Sequence, residues 1–479
     1  MSFPNLGDQA TTAFNNSRKS PRRLDVFRQS RSGLTGLVIV LSLLILSAYA
    51  PLAVPIEEVG KWNELDKWLD NPPAVPPEWS QVLSGKILPR NMIIEDFTRT
   101  RVMIGNSAMR ETISRFSYDS DDFPSSLLLV VDSSLHSRSS TMEIIWEKPD
   151  GEVIKLYQVI KRPSSVEDRF FITTDTELKR HLAAYMLERL GEFVPTEDID
   201  PNTVLFAHTK APMHLREKAV PLKGEYQLQT RLLSTEPDDQ VVGVKLSIGG
   251  QVYGAFGTDS FRRDLGVGIL WGAPVALGIG LSVSVFGTII GLIAGVVSGF
   301  YGGTWKDESI QRITDFMLLL PALPILILVS LVFRIDLWQL VLWLTLFGWM
   351  GVAKISRAMA LQIREEQYVE AARSIGAIDR WIILRHVAPQ ILTYAFAVIA
   401  LSVPSVIFTE AVLSFLGLGD PGLVTWGRIL YDAQLNGAAV SGYWWWVLTP
   451  GFFITLTALG FGLLGNALDK TLQPKMRLN

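Results

Sequence analysis

Among 479 residues there is no cysteine. Disulfides, thiolate zinc sites, iron–sulfur ligation and cysteine nucleophiles are therefore excluded as chemistry of this chain. A nucleotide-binding phosphate loop is lacking too. Gly60-Lys61 and Gly85-Lys86 are followed by Trp62 and Ile87, where the G-x-x-x-x-G-K-[ST] loop needs a hydroxyl residue to meet the metal. The five histidines form no H-E-x-x-H pair, and Gly-x-Ser-x-Gly does not occur. A net charge of -3 gives no basic surplus, which argues against nucleic acid as a partner. Charge is scarce altogether, at 19% of residues against 48% hydrophobic. That is too apolar for an ordinary soluble chain and too charged for a purely intramembrane one. The balance predicts a membrane core carrying a soluble domain.

Long uncharged runs locate the membrane part. Residues 33–56 hold 24 positions without a charge, where a bilayer needs about 20. Arg18, Lys19, Arg22, Arg23, Arg28 and Arg31 precede them. The run is too long, and starts too far into the chain, for a secretory signal, so a retained first span is expected. Residues 265–305 are uncharged for 41 positions. As one helix they would measure about 60 Å, twice the hydrocarbon thickness. A break at Gly272-Ala273-Pro274 is therefore expected, with the first part lying at the interface. Further spans are read at 316–333, 337–353, 391–409 and 444–468.

Between the first two runs, residues 57–250 have a soluble composition. Pro72, Pro73, Pro76 and Pro77 read as a stiff extended linker. Strands are expected at 126–131, 142–146, 153–160, 225–233 and 241–248, with a turn at Lys148-Pro149-Asp150-Gly151. One helix is expected over 178–190, with a capping-box spacing from Thr174 to Glu177 and a stop at Gly191. This is a strand-rich α+β or sandwich domain.

Charge asymmetry orients the spans. Lys and Arg number six in 1–32, two in 304–315, six in 354–390 and three in 469–479. The intervening short loops at 334–336 and 410–443 hold one each. The basic segments belong in the cytoplasm. The expected organisation is a cytoplasmic tail at 1–32, a first span at 33–56 and an extracytoplasmic domain at 57–250. A core at 251–479 follows, with five more spans and a cytoplasmic loop at 354–390. Both termini are then cytoplasmic, and the chain is multi-pass in the cell membrane.

Inside the spans, Gly287, Gly291, Gly295 and Gly299 recur every four residues, a groove for close helix packing. Pro321 and Pro324 should bend the third span. Glu410 is the one acid near an apolar boundary, and it is expected at the outer interface. An ion-driven carrier needs intramembrane carboxylates or histidines. With no such relay in the sequence, the driving energy is expected to come from outside this chain.

The loop EEQYVEAARSIGAIDRWIILRHVAPQ, residues 365–390, is the most informative stretch. A short helix is expected over 368–374, with Ala371 and Ala372 forming a smooth docking face. Gly376 should end it in a left-handed conformation. Asp379 is expected to cap a second short helix, and Pro389 to close the segment. Glu370-Ala371-Ala372, Gly376 and Pro389 at this spacing resemble the EAA loop of ABC-importer permease subunits. YVEAARSIGAIDRWIILRHVAP is similar to the C-type permease of the dipeptide/oligopeptide branch. Other stretches agree: Phe256-Gly257-Thr258-Asp259 with Arg263-Asp264, Thr409-Glu410-Ala411 running into Ser414-Phe415-Leu416-Gly417-Leu418-Gly419, and Trp426-Gly427. The resemblance spans roughly 20–56 and 254–475. Arg262 stands where the family has a glycine, so a backbone-permissive turn is expected to be lost. The outer domain has no counterpart in the family pattern.

The expected fold is an α-helical membrane protein: the resemblance implies an ABC-importer permease core, the charge asymmetry six spans, and the composition a strand-rich α+β extracytoplasmic domain inserted between spans one and two. The resemblance implies a transport subunit and not an enzyme, embedded in the lipid bilayer and with no cofactor of its own. ATP and Mg would be handled by two ATP-binding partner subunits. A second permease subunit and an extracytoplasmic substrate-binding protein would complete the importer, with peptides the expected solute. Glu370, Ala371, Ala372 and Gly376 would couple the chain to an ATPase subunit. The competing class is a membrane-anchored receptor or adhesion protein working through its outer domain.

Overall fold

The computed structural model describes residues 30–472 except 105–106, 138, 162–163, 192, 209–218, 237 and 334–335. Of the basic N-terminal cluster, only Arg31 falls within them. The chain forms two compact units. One contains the chain up to Ile56, Gly268–Asp432 and the stretch from Pro450 onward; the other contains Glu57–Val267 and Ala433–Thr449. The first helix among the described residues, α1 (Arg31–Ala53), starts at Ser30, whose hydroxyl accepts the Gly33 N–H.

Among the described residues the second unit is built on nine strands. These are β1 (Met92–Ile94), β2 (Thr98–Ile104), β3 (Ser107–Tyr118), β4 (Ser126–Leu135), β5 (Ser140–Glu147), β6 (Val153–Lys161), β7 (Ser164–Phe170), β8 (Gly224–Ser234) and β9 (Gln240–Gly249). Two helices, α2 (Thr176–Leu190) and α3 (Pro201–Phe206), interrupt them. One sheet has the order β1-β9-β4-β7 and the other β2-β3-β8-β5-β6, with every pairing antiparallel. Both sheets and α2 contribute to one apolar core, including Leu129, Val131, Trp146, Leu182, Tyr226 and Leu246. Phe206 of α3 lies 4.6 Å from Tyr118 and 5.3 Å from Trp146, ring centre to ring centre. The Trp146 indole N–H donates to the Leu205 carbonyl, so the large ring is buried without an orphaned donor.

The five expected strand runs lie within β4, β5, β6, β8 and β9. The strands β1, β2, β3 and β7 escaped the pattern: β1 is only three residues long, residues 98–102 of β2 are exposed, and β3 and β7 are largely polar. In β3 the inward positions include Thr112 and Ser114. The cap of α2 is Asp175, whose carboxylate accepts the Glu177 and Leu178 N–H groups, and not Thr174. Gly191 ends that helix at φ 70.

The proline-rich segment is neither extended throughout, since Ala74 within it adopts φ 47, nor a linker. The Ala74 N–H donates to the Asp259 carbonyl, Thr258 N–H to Val75 and Tyr253 N–H to Pro76, all within 2.9 Å. Residues 251–264 are thereby stitched to 72–77, and the unit runs to Val267 where a boundary near 250 was expected.

The other unit is helical. Its helices are α4 (Leu265–Phe300), α5 (Trp305–Leu319), α6 (Ala322–Val332), α7 (Leu337–Gly348), α8 (Met350–Arg364), α9 (Gln367–Ser374), α10 (Asp379–Ile382), α11 (Ala388–Phe415), α12 (Trp426–Leu435) and α13 (Trp444–Leu472). The expected break at Gly272-Ala273-Pro274 is absent: α4 is continuous through Pro274 for 36 residues, or about 54 Å. The ring of Trp426 fills the space beside Gly272, and its indole N–H donates to the Ile269 carbonyl at 3.0 Å. That packing supports the helix where proline weakens its own ladder. The pair α5–α6 bends by 75° next to Pro321, as the proline spacing predicts, and α7–α8 bends by 40°. Among the described residues four helical runs are long and apolar enough to cross a bilayer: α1, α4, Asp379–Phe415 and α13. There are up to six if each bent pair is one span.

Candidate functional site

The helix α9 divides its residues between two faces. Val369 and Ala372, three apart, are buried against Val296, Phe300, Ala360, Ile382, Val387 and Ile391. Glu370, Ala371, Arg373 and Ser374 face outward. The two alanines therefore do not share one smooth docking face. Consecutive helical residues point about 100° apart, so Ala371 is presented outward while Ala372 seats the helix on its own chain. Gly376, at φ 87, closes α9: its N–H bonds to Arg373 and that of Ala377 to Ala372. This is the Schellman arrangement, and a side chain at that φ would be strained. Beyond it Ile375 and Ile378 are 84% and 70% exposed, flanking the outward face with apolar surface.

Two expectations for the next segment are corrected. Asp379 is the first residue of α10, not its cap, which falls on Ile378 without a side-chain bond. Pro389 does not close the segment. The helix continues from Asp379 to Phe415 through a π turn at Ile383–Val387. A wider turn just ahead of proline absorbs the missing N–H without ending the helix.

The loop is anchored to α4 and α5. A Cβ on Gly291, Gly295 or Gly299 would lie 2.5 Å from the carbonyl oxygen of Trp349, Ala353 or Arg357 respectively. The backbones of α4 and α8 are thus in direct contact along three turns, with Gly287 a looser fourth position at 3.6 Å from Gly348. Asp307 of α5 accepts both Nε and Nη2 of Arg357 at 2.7 Å, and also Ser298 Oγ and the Gly303 N–H. Arg364 Nη1 donates to the Gly302 carbonyl at 3.0 Å. Sequence reasoning missed Asp307. Its only signal was an acid in the first turn of a helix beside a basic segment, which is common in solvated helices.

Glu410, expected at the outer interface, is enclosed within its own chain. It is 2% exposed, Ser414 Oγ donates to its Oε1 at 2.7 Å, and Thr425 also bonds to it. Enclosure follows because α11 runs on to Phe415 and α12 packs across it. A Cβ on Gly427 would sit 2.7 Å from the Ala411 Cα, and one on Gly419 2.3 Å from Ser414 Oγ.

In the other unit the Thr258-Asp259 stretch forms a built turn. Thr258 Oγ1 donates to the Pro72 carbonyl and accepts the Val75 N–H. Asp259 accepts the Phe261 and Arg263 N–H groups and Arg263 Nε at 2.6 Å. The expected loss of the glycine turn is corrected as well: Arg262 itself adopts φ 67. Its Nη1 donates to the Leu69 and Asn71 carbonyls, and Asn71 Nδ2 donates back to the Arg262 carbonyl. These bonds hold an arginine in a conformation usually left to glycine. Burial pushes its guanidinium below the ordinary arginine value, opposed by Asp70.

Residues 287–478 match the family model of the binding-protein-dependent transport system inner membrane component. The oligopeptide transport system permease protein OppC of Bacillus subtilis (strain 168) is 36% identical over 223 residues, 46% of this chain and 72% of that protein. The dipeptide transport system permease protein DppC of the same strain is 36% identical over 223 residues, 46% of this chain and 69% of its own. The glutathione transport system permease protein GsiD of Escherichia coli O6:K15:H31 (strain 536 / UPEC) is 34% identical over 223 residues, 46% of this chain and 72% of its own. A solved inward-facing methionine ABC transporter, MetNI, aligns at a TM-score of 0.34 and 17% identity, over 42% of this chain and 96% of that one, too weak a likeness to bear on the fold.

Proposed function

Since this chain belongs to the family of binding-protein-dependent transport system inner membrane components, we propose that it is one of two permease subunits of an ATP-driven importer of peptides. The observation that carries the substrate class is the 36% identity to a permease named for oligopeptide transport and to another named for dipeptides. The chain is a transport subunit and not an enzyme. ATP and Mg are handled by ATP-binding partners, and a substrate-binding protein delivers the solute.

In this reading the chain crosses the membrane six times, each bent helix pair counting as one span. The termini and the α8–α11 loop face the cytoplasm, and the strand-rich unit lies outside, between spans one and two. The excess of Lys and Arg in the short loops supports that orientation. The outer unit docks or shields the substrate-binding protein.

Coupling runs through α9. Its outward face, Glu370 and Ala371 with Gly376 at the exit, seats in an ATP-binding subunit. Ala372 ties it to this chain. What supports a lever is rigidity. Three glycines bring α4 and α8 into backbone contact, and the Asp307–Arg357 pair braces the same joint. Movement of α9 is therefore passed on as rigid-body motion of α8 and α4 rather than absorbed locally. The test is purification of the tagged chain from its native membrane. ATP-binding subunits should accompany it, with ATPase activity stimulated by peptide-loaded binding protein. A receptor or adhesion protein would come without them.

A further inference from the structure

The strand-rich unit holds large apolar side chains outside its core in the stretch 79–87. A 3-10 turn, Glu78–Ser80, runs into a helical turn, Gln81–Ser84, which Gly85 closes at φ 66. Val82 and Leu83 are each 81% exposed, Ile87 64% and Trp79 55%. Exposed apolar residues scattered singly need no explanation, but four so close together on one stretch do. The stretch is fastened at both ends. The Glu78 N–H donates to the Gly254 carbonyl and the Trp79 indole N–H to the Ala255 carbonyl, both at 2.9 Å. The Ile87 N–H donates to an Asp121 carboxylate oxygen at 3.0 Å, and the Asp121 N–H returns to the Ile87 carbonyl at 2.9 Å. The apolar side chains are thus held out on a pinned backbone.

The same unit contains the start of α13, and this sets the depth of the patch. The Trp79 ring lies 5.7 Å from that of Trp444, the first residue of α13, edge to face at 62°. That helix is long and apolar enough to cross a bilayer. It opens on Trp444, Trp445 and Trp446 behind Tyr443, and such residues gather where a span meets the headgroups. The Trp445 indole N–H donates to the Thr258 carbonyl at 3.0 Å, which fixes the opening of the helix on this unit. Val440, on the turn leading into it, is 96% exposed. Trp79 therefore shares the depth of the helix end, and Leu83, four residues further, is at most about 8 Å away along the turn.

We propose that Trp79, Val82, Leu83 and Ile87, with Val440 and Trp444, form an interfacial anchor by which the strand-rich unit rests on the lipid surface. The inference rests on α13 being a membrane span. The occupant is lipid because the medium around the end of a span is the headgroup boundary, and the Trp79–Trp444 contact holds the patch at that level. Apolar side chains there leave water by dipping among the headgroups and upper acyl carbons, as an interfacial amphipathic segment does. The tryptophans suit the same boundary, with an apolar ring body and a polar N–H at one edge. The anchor gives the unit a second hold on the bilayer besides its chain connections, and so fixes its tilt over the surface.

The experiment uses the full chain, spin-labelled and then joined to its partner subunits, in liposomes of phosphatidylethanolamine and phosphatidylglycerol. The lack of natural cysteine allows one nitroxide at a time, through Leu83→Cys, Ile87→Cys, Thr235→Cys or Phe452→Cys. Collisions of the nitroxide with oxygen, which concentrates in lipid, are compared with collisions with a water-soluble nickel chelate. Exposed Thr235 is the water reference. Phe452, 60% exposed and eight residues into α13, is the lipid reference about 12 Å beyond Trp444. At 83 and 87 the ratio of oxygen to chelate collisions should fall between the two references and exceed that at 235 about threefold, as for side chains about 5–10 Å into the headgroup boundary. If the label at 83 hinders assembly, Val82→Cys on the same turn should give the same ratio. A ratio at these sites equal to that at 235 would leave the patch in water. Few collisions with either reagent would mean that a protein partner covers it. Both results overturn the proposal. A chelate preference at Phe452 would instead overturn the reading of α13 as a span.

Discussion

Two adjacent alanines offer a test of the coupling assignment, because Ala371 is exposed and Ala372 is buried. Ala372 is 6% exposed, among Val296, Phe300, Ala360, Ile382, Val387 and Ile391. An aspartate there buries a carboxylate with no cationic partner in that cluster. Such a group costs about 3–5 kcal/mol, or roughly two to three and a half powers of ten in the equilibrium that seats α9 on its own chain. Ala371 is exposed, so Ala371→Asp costs only a helix-propensity difference of roughly 0.5 kcal/mol within the chain. Any larger effect must arise in a partner. The assay pairs limited trypsin digestion at Arg373, Arg380 and Arg385 with ATPase activity stimulated by loaded binding protein. Ala372→Asp should speed cleavage and abolish stimulation together. Ala371→Asp should leave the digestion pattern of the purified chain unchanged yet reduce stimulation more than tenfold. If Ala371→Asp assembles and transports at the wild-type rate, the outward face of α9 does not seat in an ATPase subunit, and the coupling assignment fails.

Three further outcomes are expected. At Arg262, the left-handed backbone costs about 1–2 kcal/mol and is held by two carbonyl bonds. Arg262→Ala should lower the unfolding midpoint of the detergent-solubilised chain more than Arg262→Gly, by about 1 kcal/mol; equal effects would show that strain is not part of the balance. Single cysteines at Ser139 and Thr235, clean probes in a chain without natural thiols, should react with an impermeant reagent in intact cells; labelling only after lysis would reverse the topology. Asp239 is buried, which alone would raise its carboxyl, but the N–H groups of His136 and Ser137 and the hydroxyls of Ser137 and Ser140 hold it below the usual carboxylate value. Its folded value being depressed, its contribution is full above the ordinary carboxylate range near pH 4 and fades as pH falls through the folded value. Asp239→Asn should therefore flatten the acid limb of the outer unit's stability curve; an unchanged limb would remove Asp239 from that balance.

The long apolar helices, the strand-rich unit and the short helix closed by Gly376 were legible in the sequence because each rests on a local property. Charge-free length measures a bilayer, β-branched alternation marks a half-buried strand, and Gly376 declares a left-handed turn through its missing side chain. Proline spacing likewise announced the bend at Pro321. Tertiary structure decided what depends on neighbours far along the chain. Pro274 reads as a break, yet Trp426, more than 150 residues later, packs against the helix and donates to its backbone. Pro72 to Pro77 read as a linker, and their hydrogen bonds to 253–259 exist only once the two strands of chain meet. Arg262 reads as the loss of a turn, and only its bonds to Leu69 and Asn71 show how a side chain can pin the backbone that glycine would otherwise supply. Glu410 reads as an interfacial acid because its sequence neighbours end an apolar run, whereas α12 returns to cover it. In each case the local preference is of the order of a few kcal/mol, and a small number of well-directed long-range hydrogen bonds or a filled packing space is enough to override it.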